Sequence, residues 1–293
     1  MSKELLFSVV IPTCNRPSLL AQCLDKIKKE GTPDDYSSVI SEINEFDYEI
    51  IVSDDSINAD TAQLLRDSYP WVIYIKGNRK GPAANRNNGA SIATGKWLVF
   101  TDDDCLPSTD WLFNIYQSII NYAKEDLVGI EGAIEALGSV EQDLVECPEN
   151  SSGGVFWSAN IAVEFDVFQM IGCFDENVPM AAFEDTDLYH RLRKQGVILF
   201  NKKVLVLHPV RSLRIIPYFC QLPKRIKSWA YYVEKYEEID SRMLTQLKHS
   251  IHFNLRSMIR FLRKKQWGNF LMASVRLFVA PLLLSYFLIT NKA

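Results

Sequence analysis

Short apolar, β-branched runs alternate with amphipathic stretches along residues 5–207, and most of the runs stop at a polar cluster. That alternation is the tightest constraint on what the chain can fold into. Residues 5–11, 48–52, 71–75 and 97–100 read as strands. Between them, 19–27, 61–68 and 83–93 carry apolar residues at helical spacing, with Ser18 as the expected N-cap of the first helix and Gly95 as the stop of the third. Further on, 111–123 and 166–171 predict helices and 128–136 a strand. A helix opening at 183 has Glu184, Asp185 and Asp187 in its first turn and Arg191, Arg193 and Lys194 near its end, an order that complements the helix dipole. Residues 197–200 and 204–207 read as two more strands before His208-Pro209. Strands alternating with helices build βαβ units, so the expectation is an α/β fold with a Rossmann-like, mostly parallel mixed sheet flanked by helices. Residues 30–47 and 138–154 read as polar insertions.

The polar clusters matter because open α/β sheets bind ligands outside the carboxyl ends of their strands. Four clusters fall at such ends: residues 13–16, Asp54 with Asp55, the run Asp102, Asp103, Asp104, and His208. An Asp-X-Asp pair there offers hard oxygen ligands to Mg²⁺ or Mn²⁺, and such an ion can hold a diphosphate. Each cluster also has a plainer reading. Asp54 and Asp55 could form an Asx turn. Glu184, Asp185 and Asp187 could be no more than first-turn acids, and His208 could be a hydrogen-bonded structural histidine.

Taken in order, the motifs resemble those of the family 2 glycosyltransferases. They are Val9-Val10-Ile11-Pro12-Thr13-Cys14-Asn15-Arg16, Ile50-Ile51-Val52-Ser53-Asp54-Asp55-Ser56, Gly81-Pro82-Ala83-Ala84-Asn85-Arg86, Phe100-Thr101-Asp102-Asp103-Asp104, Gly172-Cys173-Phe174-Asp175-Glu176 and Phe183-Glu184-Asp185-Thr186-Asp187. The resemblance covers about residues 5–210 and implies the A-type (GT-A) nucleotide-sugar fold. By position it implies that Thr13, Arg16, Asp55, Arg86 and Asp103 line the nucleotide site, with Asp55 accepting from a uracil-type ring N–H. It makes Asp102 and Asp104 the metal-binding pair, with Asp104 favoured for direct contact, and His208 a further ligand. Asp185, in the Glu184-Asp185 pair, becomes the general base. The implied reaction inverts the sugar's anomeric centre without a covalent intermediate, with Mn²⁺ or Mg²⁺ as cofactor and a nucleotide sugar, UDP favoured, as donor. Processive members carry Gln-X-X-Arg-Trp after the Glu-Asp pair; this chain has none, so transfer of a single sugar is expected. A sugar nucleotidyltransferase would need a Gly-rich basic loop after the first strand, where this chain has Pro12-Thr13-Cys14-Asn15-Arg16. A scaffold with the same fold but no turnover is the remaining alternative.

Charge separates a front from a rear. Residues 1–210 carry 17 Lys+Arg against 32 Asp+Glu, whereas 211–276 carry 14 against 4. The boundary predicts a catalytic domain over 1–210 and a helical, basic then apolar region over 211–293. Aromatic residues among those basic ones, followed by the apolar stretch 270–290, suit contact with an anionic membrane surface and a glycan or lipid-linked acceptor. The basic residues follow no nucleic-acid-binding module, so nucleic acid is not an expected partner. The six cysteines show no metal-ligand spacing, and no signal-peptide pattern opens the chain; both suit reduced thiols and the cytoplasmic face of a membrane.

Overall fold

The computed structural model describes residues 5–27, 47–138, 145–178, 183–212, 215–236, 258, 261–263, 265–275 and 277. The insertion expected at 30–47 lies outside them except for Asp47, as do 139–144 and most of the apolar stretch 270–290. The described residues divide into two compact units. One comprises those of Met1–Leu137, Pro148–Glu176 and Glu184–Pro209; the other those of Gly138–Cys147, Asn177–Phe183 and Val210–Ala293.

In the first unit the strands are β1 (Leu5–Thr13), β2 (Asp47–Asp54), β3 (Ile73–Lys76), β4 (Trp97–Thr101), β5 (Leu106–Pro107), β6 (Leu127–Leu137), β8 (Asn160–Glu164) and β9 (Val197–Pro209). They form one sheet in the order β3-β2-β1-β4-β8-β6-β9-β5. From β3 to β4 all pairs are parallel. Strand β8 then runs antiparallel between β4 and β6, while β6 and β9 are parallel. The mostly parallel mixed sheet expected from the sequence is therefore present, with its antiparallel insertion where the chain returns from the far side.

Side chains of a strand alternate between faces, and both faces here are covered. Phe7, Val9 and Ile11 join Leu20 and Leu24 of α1 (Pro17–Lys26) and Trp111 and Ile115 of α4 (Trp111–Asn121) on one side. Val10, Leu98 and Phe100 join Ala83 and Ala90 of α3 (Pro82–Ala90), Phe168 of α5 (Phe165–Met170), and Leu188 and Leu192 of α6 (Glu184–Leu192) on the other. The Phe100 ring meets Phe174 edge-on at 5.2 Å and Phe168 at 5.5 Å. α2 (Asp60–Ser68) links β2 to β3.

Local expectations fail in three places, each for a physical reason. Arg16, not Ser18, is the N-cap of α1, because Pro17 takes the first helical position, where its fixed φ and missing N–H cost nothing. Gly95 does not end α3, which stops at Ala90; a Cβ at Gly95 would lie 2.6 Å from the backbone of Phe7 and Ser8, so its smallness lets the chain enter β4 beside β1. The two strands expected at 197–207 are a single β9, whose pairing with β6 slips between Gly132–Asn201 and Ala133–Leu205. A Cβ on Gly132 would come within 2.5 Å of the Val204 carbonyl, so the glycine admits that irregularity.

In the second unit β7 (Val145–Glu146) pairs antiparallel with β10 (Arg211–Ser212). The helices are α7 (Ile215–Lys235) and α8 (Trp267–Ser274). Tyr232 is buried and stacks on Phe183 at 6.1 Å. Among the described residues no helix is long and apolar enough to cross a membrane.

Candidate active site

Three parallel strands deliver their C-terminal ends to one edge. Thr13 closes β1, Asp54 closes β2, and Asp102, Asp103 and Asp104 follow β4 directly. Asp55 is fixed there by its own N–H, which donates to the Thr13 carbonyl at 2.9 Å. Asn85 on α3 ties the edge together: its Nδ2 donates to the carbonyls of Thr13 and Ser53, and its Oδ1 accepts from the Ser53 hydroxyl.

The three consecutive aspartates point to different partners. Asp103 is fully buried; its Oδ2 accepts from Thr13 Oγ1 at 2.6 Å and Arg16 Nε at 3.1 Å, and Arg16 Nη2 lies 2.6 Å from its Oδ1. Asp104 faces Arg16 Nη1 at 3.1 Å on one side and His208 Nε2 at 3.6 Å on the other. Asp102 pairs with Arg86 Nη2 at 2.8 Å. The other end of that guanidinium reaches Glu184 at 3.4 Å, and its Cζ lies 5.6 Å from the Phe174 ring centre. Asp185 lies next door, beside Ser158, whose hydroxyl and N–H favour its charged form. The buried Asp185 Oδ1 takes no hydrogen bond.

Every residue singled out from the sequence thus sits in the same unit. Asp103, Asp104, Thr13, Arg16 and His208 form one connected group; Asp102, Arg86 and Glu184 form a second, with Asp185 beside it. Asp55 stands apart from both through its side chain, whose Oδ1 accepts the N–H of Arg79. Sequence reasoning missed Arg79, Asn85 and Ser158. Ser158 was visible only as a polar break in an apolar run, and Arg79 as one of several loop cations.

Five carboxyls here face two guanidiniums, and the imbalance shows in their acidities. Burial pushes Asp103 up to about 7, against the pull of Arg16 and the Thr13 hydroxyl. Glu184 is also raised to about 7, by burial and then by Asp185. Asp185 is raised by burial, opposed by Arg86 and Ser158. At Asp102 burial also pushes upward, but Arg86 outweighs it and the carboxyl lies below its ordinary value. Buried carboxylates in excess of their cations invite a further cation.

Asp104, Cys105 and His208 present ligand atoms within 4.8 Å of one another. His208 Nδ1 lies 2.9 Å from the Pro209 carbonyl oxygen. A carbonyl only accepts, so Nδ1 carries the proton, and Nε2 is the ring nitrogen turned toward the Asp104 carboxylate. A far ring nitrogen anchored on a backbone carbonyl, with Nε2 beside a carboxylate, suits a metal-ligating histidine. Oxygen and imidazole donors fit Mn²⁺ or Mg²⁺. Burial, and then the neighbouring aspartates, hold the Cys105 thiol well above its ordinary pKa and so protonated in the metal-free chain.

A parallel half-sheet with acidic strand ends, continued by an antiparallel strand, is the architecture of the A-type (GT-A) fold. The profile of glycosyl transferase family 2 matches residues 8–133. A poly(ribitol-phosphate) β-glucosyltransferase of Bacillus spizizenii is 31% identical over 41% of this chain and 17% of its own length. A GalNAc(5)-diNAcBac-PP-undecaprenol β-1,3-glucosyltransferase of Campylobacter jejuni is 34% identical over 33% of this chain and 29% of its own. The chain therefore spans less than a third of either relative. A mannosyltransferase of Pyrobaculum calidifontis, solved with GDP-Man and Mn²⁺, superposes with a TM-score of 0.56 at 14% identity, covering 99% of this chain and 80% of the other, a likeness of fold.

Proposed function

We propose that the chain is an inverting glycosyltransferase that moves one sugar from a nucleotide sugar, UDP favoured, to a hydroxyl of a glycan or lipid-linked acceptor. The observation that carries this reading is the division of the acidic crevice. Asp104 and His208 form a cation-ready pair on one side, and Asp185 keeps an open, buried oxygen on the other. Thr13, Arg16, Asp55 and Asp103 line the nucleotide half. Asp104 and His208, with Asp102 nearby, would hold Mn²⁺ or Mg²⁺, which when bound supplies positive charge to the departing diphosphate. Asp185 takes the proton of the attacking hydroxyl, its raised basicity suiting it to that work near neutral pH. Arg86, between Asp102 and Glu184, spans the two halves and fixes their separation. Attack from the side opposite the leaving group inverts the anomeric carbon.

Membrane-surface contact is part of the same reading. Leu262, Trp267 and Leu271 are exposed beside the exposed Arg263 and Lys265, an apolar and basic mixture suited to an anionic lipid interface. The buried Tyr232 does not contribute. The relative that acts on an undecaprenyl-linked glycan supports such an acceptor.

The deciding experiment is hydrolysis of a panel of nucleotide sugars by the purified chain, with and without Mn²⁺, beside Asp104→Ala and Asp185→Asn. Metal-dependent release of one nucleoside diphosphate, lost in Asp104→Ala, is expected. Asp185→Asn should bind donor and fail to turn it over. A chain that binds no nucleotide sugar would sink the catalytic reading and leave the scaffold.

A further inference from the structure

Glu131 sits in the middle of β6, is 2% exposed and belongs to none of the groups described above. Its carboxylate nevertheless accepts four hydrogen bonds. Oε1 accepts from the N–H of Val155 at 2.9 Å, the N–H of Phe156 at 2.7 Å and Asn150 Nδ2 at 2.9 Å. Oε2 accepts from the N–H of Gly154 at 2.7 Å. All four donors lie on the turn 150–156. Asn150 closes that turn by accepting the Gly153 N–H, and it is itself bridged to Ile134 through both backbone groups.

A carboxylate at the centre of a sheet is costly unless its bonds are all made, and an apolar residue would fill a strand position as well. What the charge adds is a set of short, charge-assisted bonds that wrap one turn around a fixed point. That turn ends in an unusual backbone. Phe156 has φ 53°, in the left-handed region, with its ring fully buried and 5.4 Å from Tyr189 of α6. A bulky residue keeps such a conformation only where its surroundings dictate it. Two residues later, beside Asp185, comes the buried Ser158, whose hydroxyl and N–H favour the charged form of that carboxyl.

We propose that Glu131 is a positioning residue for the reaction. It sets the 150–156 turn so that Phe156 packs on the Asp185 helix and Ser158 stands beside the Asp185 carboxyl. The inference rests on Asp185 being the base, and it adds two residues, Glu131 and Ser158, that touch no substrate themselves.

Three readouts test it in Glu131→Gln, Ser158→Ala and the double variant. The Gln side chain keeps the size but sets an NH₂ against one of the inward N–H groups, so hydrogen exchange at Gly154, Val155 and Phe156 should speed up at least about tenfold. The Asp185 carboxyl, followed by ¹³C NMR and identified by its loss in Asp185→Asn, should titrate about one pH unit higher in either single variant, because a neighbour that favours its charged form is removed or displaced. The double variant should shift no further than Ser158→Ala, as expected if Glu131 acts through Ser158. Hydrolysis of UDP-GlcNAc or GDP-mannose, whichever the chain accepts, should lose about tenfold in kcat with nucleotide Kd unchanged. If Glu131→Gln fails to fold, Glu131→Asp keeps the charge and is read by the same titration. A lower melting temperature with the Asp185 titration and kcat unmoved would make Glu131 purely structural and overturn the proposal. Wild-type turnover in Asp185→Asn would instead remove the base, a failure visible separately from the titration.

Discussion

Arg16 grips Asp103 with both arms of its guanidinium, Nη2 at 2.6 Å from Oδ1 and Nε at 3.1 Å from Oδ2, while Nη1 reaches Asp104 at 3.1 Å. The aspartates are buried, but the Arg16 side chain is 41% exposed, so it can leave the crevice without unfolding anything. In the metal-free chain this arginine supplies positive charge to the carboxylate that the proposed mechanism gives to Mn²⁺. Arginine and the ion then compete. Arg16→Ala should bind Mn²⁺ several-fold more tightly in the absence of nucleotide, measured as loss of the free Mn²⁺ signal in electron paramagnetic resonance. Without metal the same variant should melt lower, because two buried acids lose their shared partner. Unchanged or weaker Mn²⁺ binding would show that the pair does not compete.

Glu184 gives the crevice a pH signature. Folded, it titrates at about 7 rather than at 4.5, first because it is buried and next because Asp185 is adjacent. Between those values the folded chain holds a proton that the unfolded chain has released. Its contribution to stability is therefore fully present below about pH 4.5, is lost as pH rises, and is gone above about 7. The ceiling on the change is about 3 kcal/mol. Glu184→Gln cannot titrate. Relative to wild type, the variant should gain stability steadily between pH 5 and 8 in urea unfolding without divalent ions. Parallel pH curves would refute this account.

Much of this arrangement was legible because a parallel sheet leaves little choice about where its strand ends go. Thr13 and Arg16 lie 90 and 87 residues from Asp103 in sequence, yet β1 and β4 are adjacent and parallel, so their ends meet. The partners of each aspartate were not legible. Asp102, Asp103 and Asp104 look alike in sequence, but the chain turns after Thr101 and sends them to Arg86, to Thr13 and Arg16, and to His208 respectively. The antiparallel entry of β8 was hidden too. It is set by pairing with β4 and β6, and no local pattern in 155–163 distinguishes it from a parallel strand. For the same reason Glu131 read as a polar residue in a strand: all its partners lie across a turn whose conformation they themselves impose.

Gly77 offers a test of the nucleotide half in which no acid is itself replaced. A Cβ there would lie 2.1 Å from Asp55 Oδ1 and 2.5 Å from Asn85 Oδ1. Neither atom yields easily, since Asp55 also accepts from the Arg79 N–H and Asn85 links β1 to β2. Gly77→Ala should displace the Asp55 carboxylate, costing about 1–3 kcal/mol of stability and at least about tenfold in nucleotide affinity by calorimetry. Gly172→Ala is the control. Gly172 has φ 85° but nothing within 4 Å of a new Cβ, so it should show backbone strain of about 1–2 kcal/mol and unchanged nucleotide affinity. Equal affinities in the two variants would place the nucleotide away from Asp55.

Arg86 is where the two halves of the crevice are joined, and lysine should not replace it. One end of the guanidinium lies 2.8 Å from Asp102 and the other 3.4 Å from Glu184, and its Cζ lies over the Phe174 ring. An ammonium keeps the charge but has no second arm, so it can satisfy one acid and leaves the other buried beside Asp185. If lysine turns to Asp102, Glu184 titrates higher still; if it turns to Glu184, Asp102 loses the partner that holds it below its ordinary value. Either way Arg86→Lys should cost about 3 kcal/mol or more in the metal-free chain. Donor hydrolysis should fall further than nucleotide affinity does, because the separation between the acids, rather than the charge, is what changes. A variant with wild-type stability and turnover would reduce Arg86 to a charge that any cation can supply.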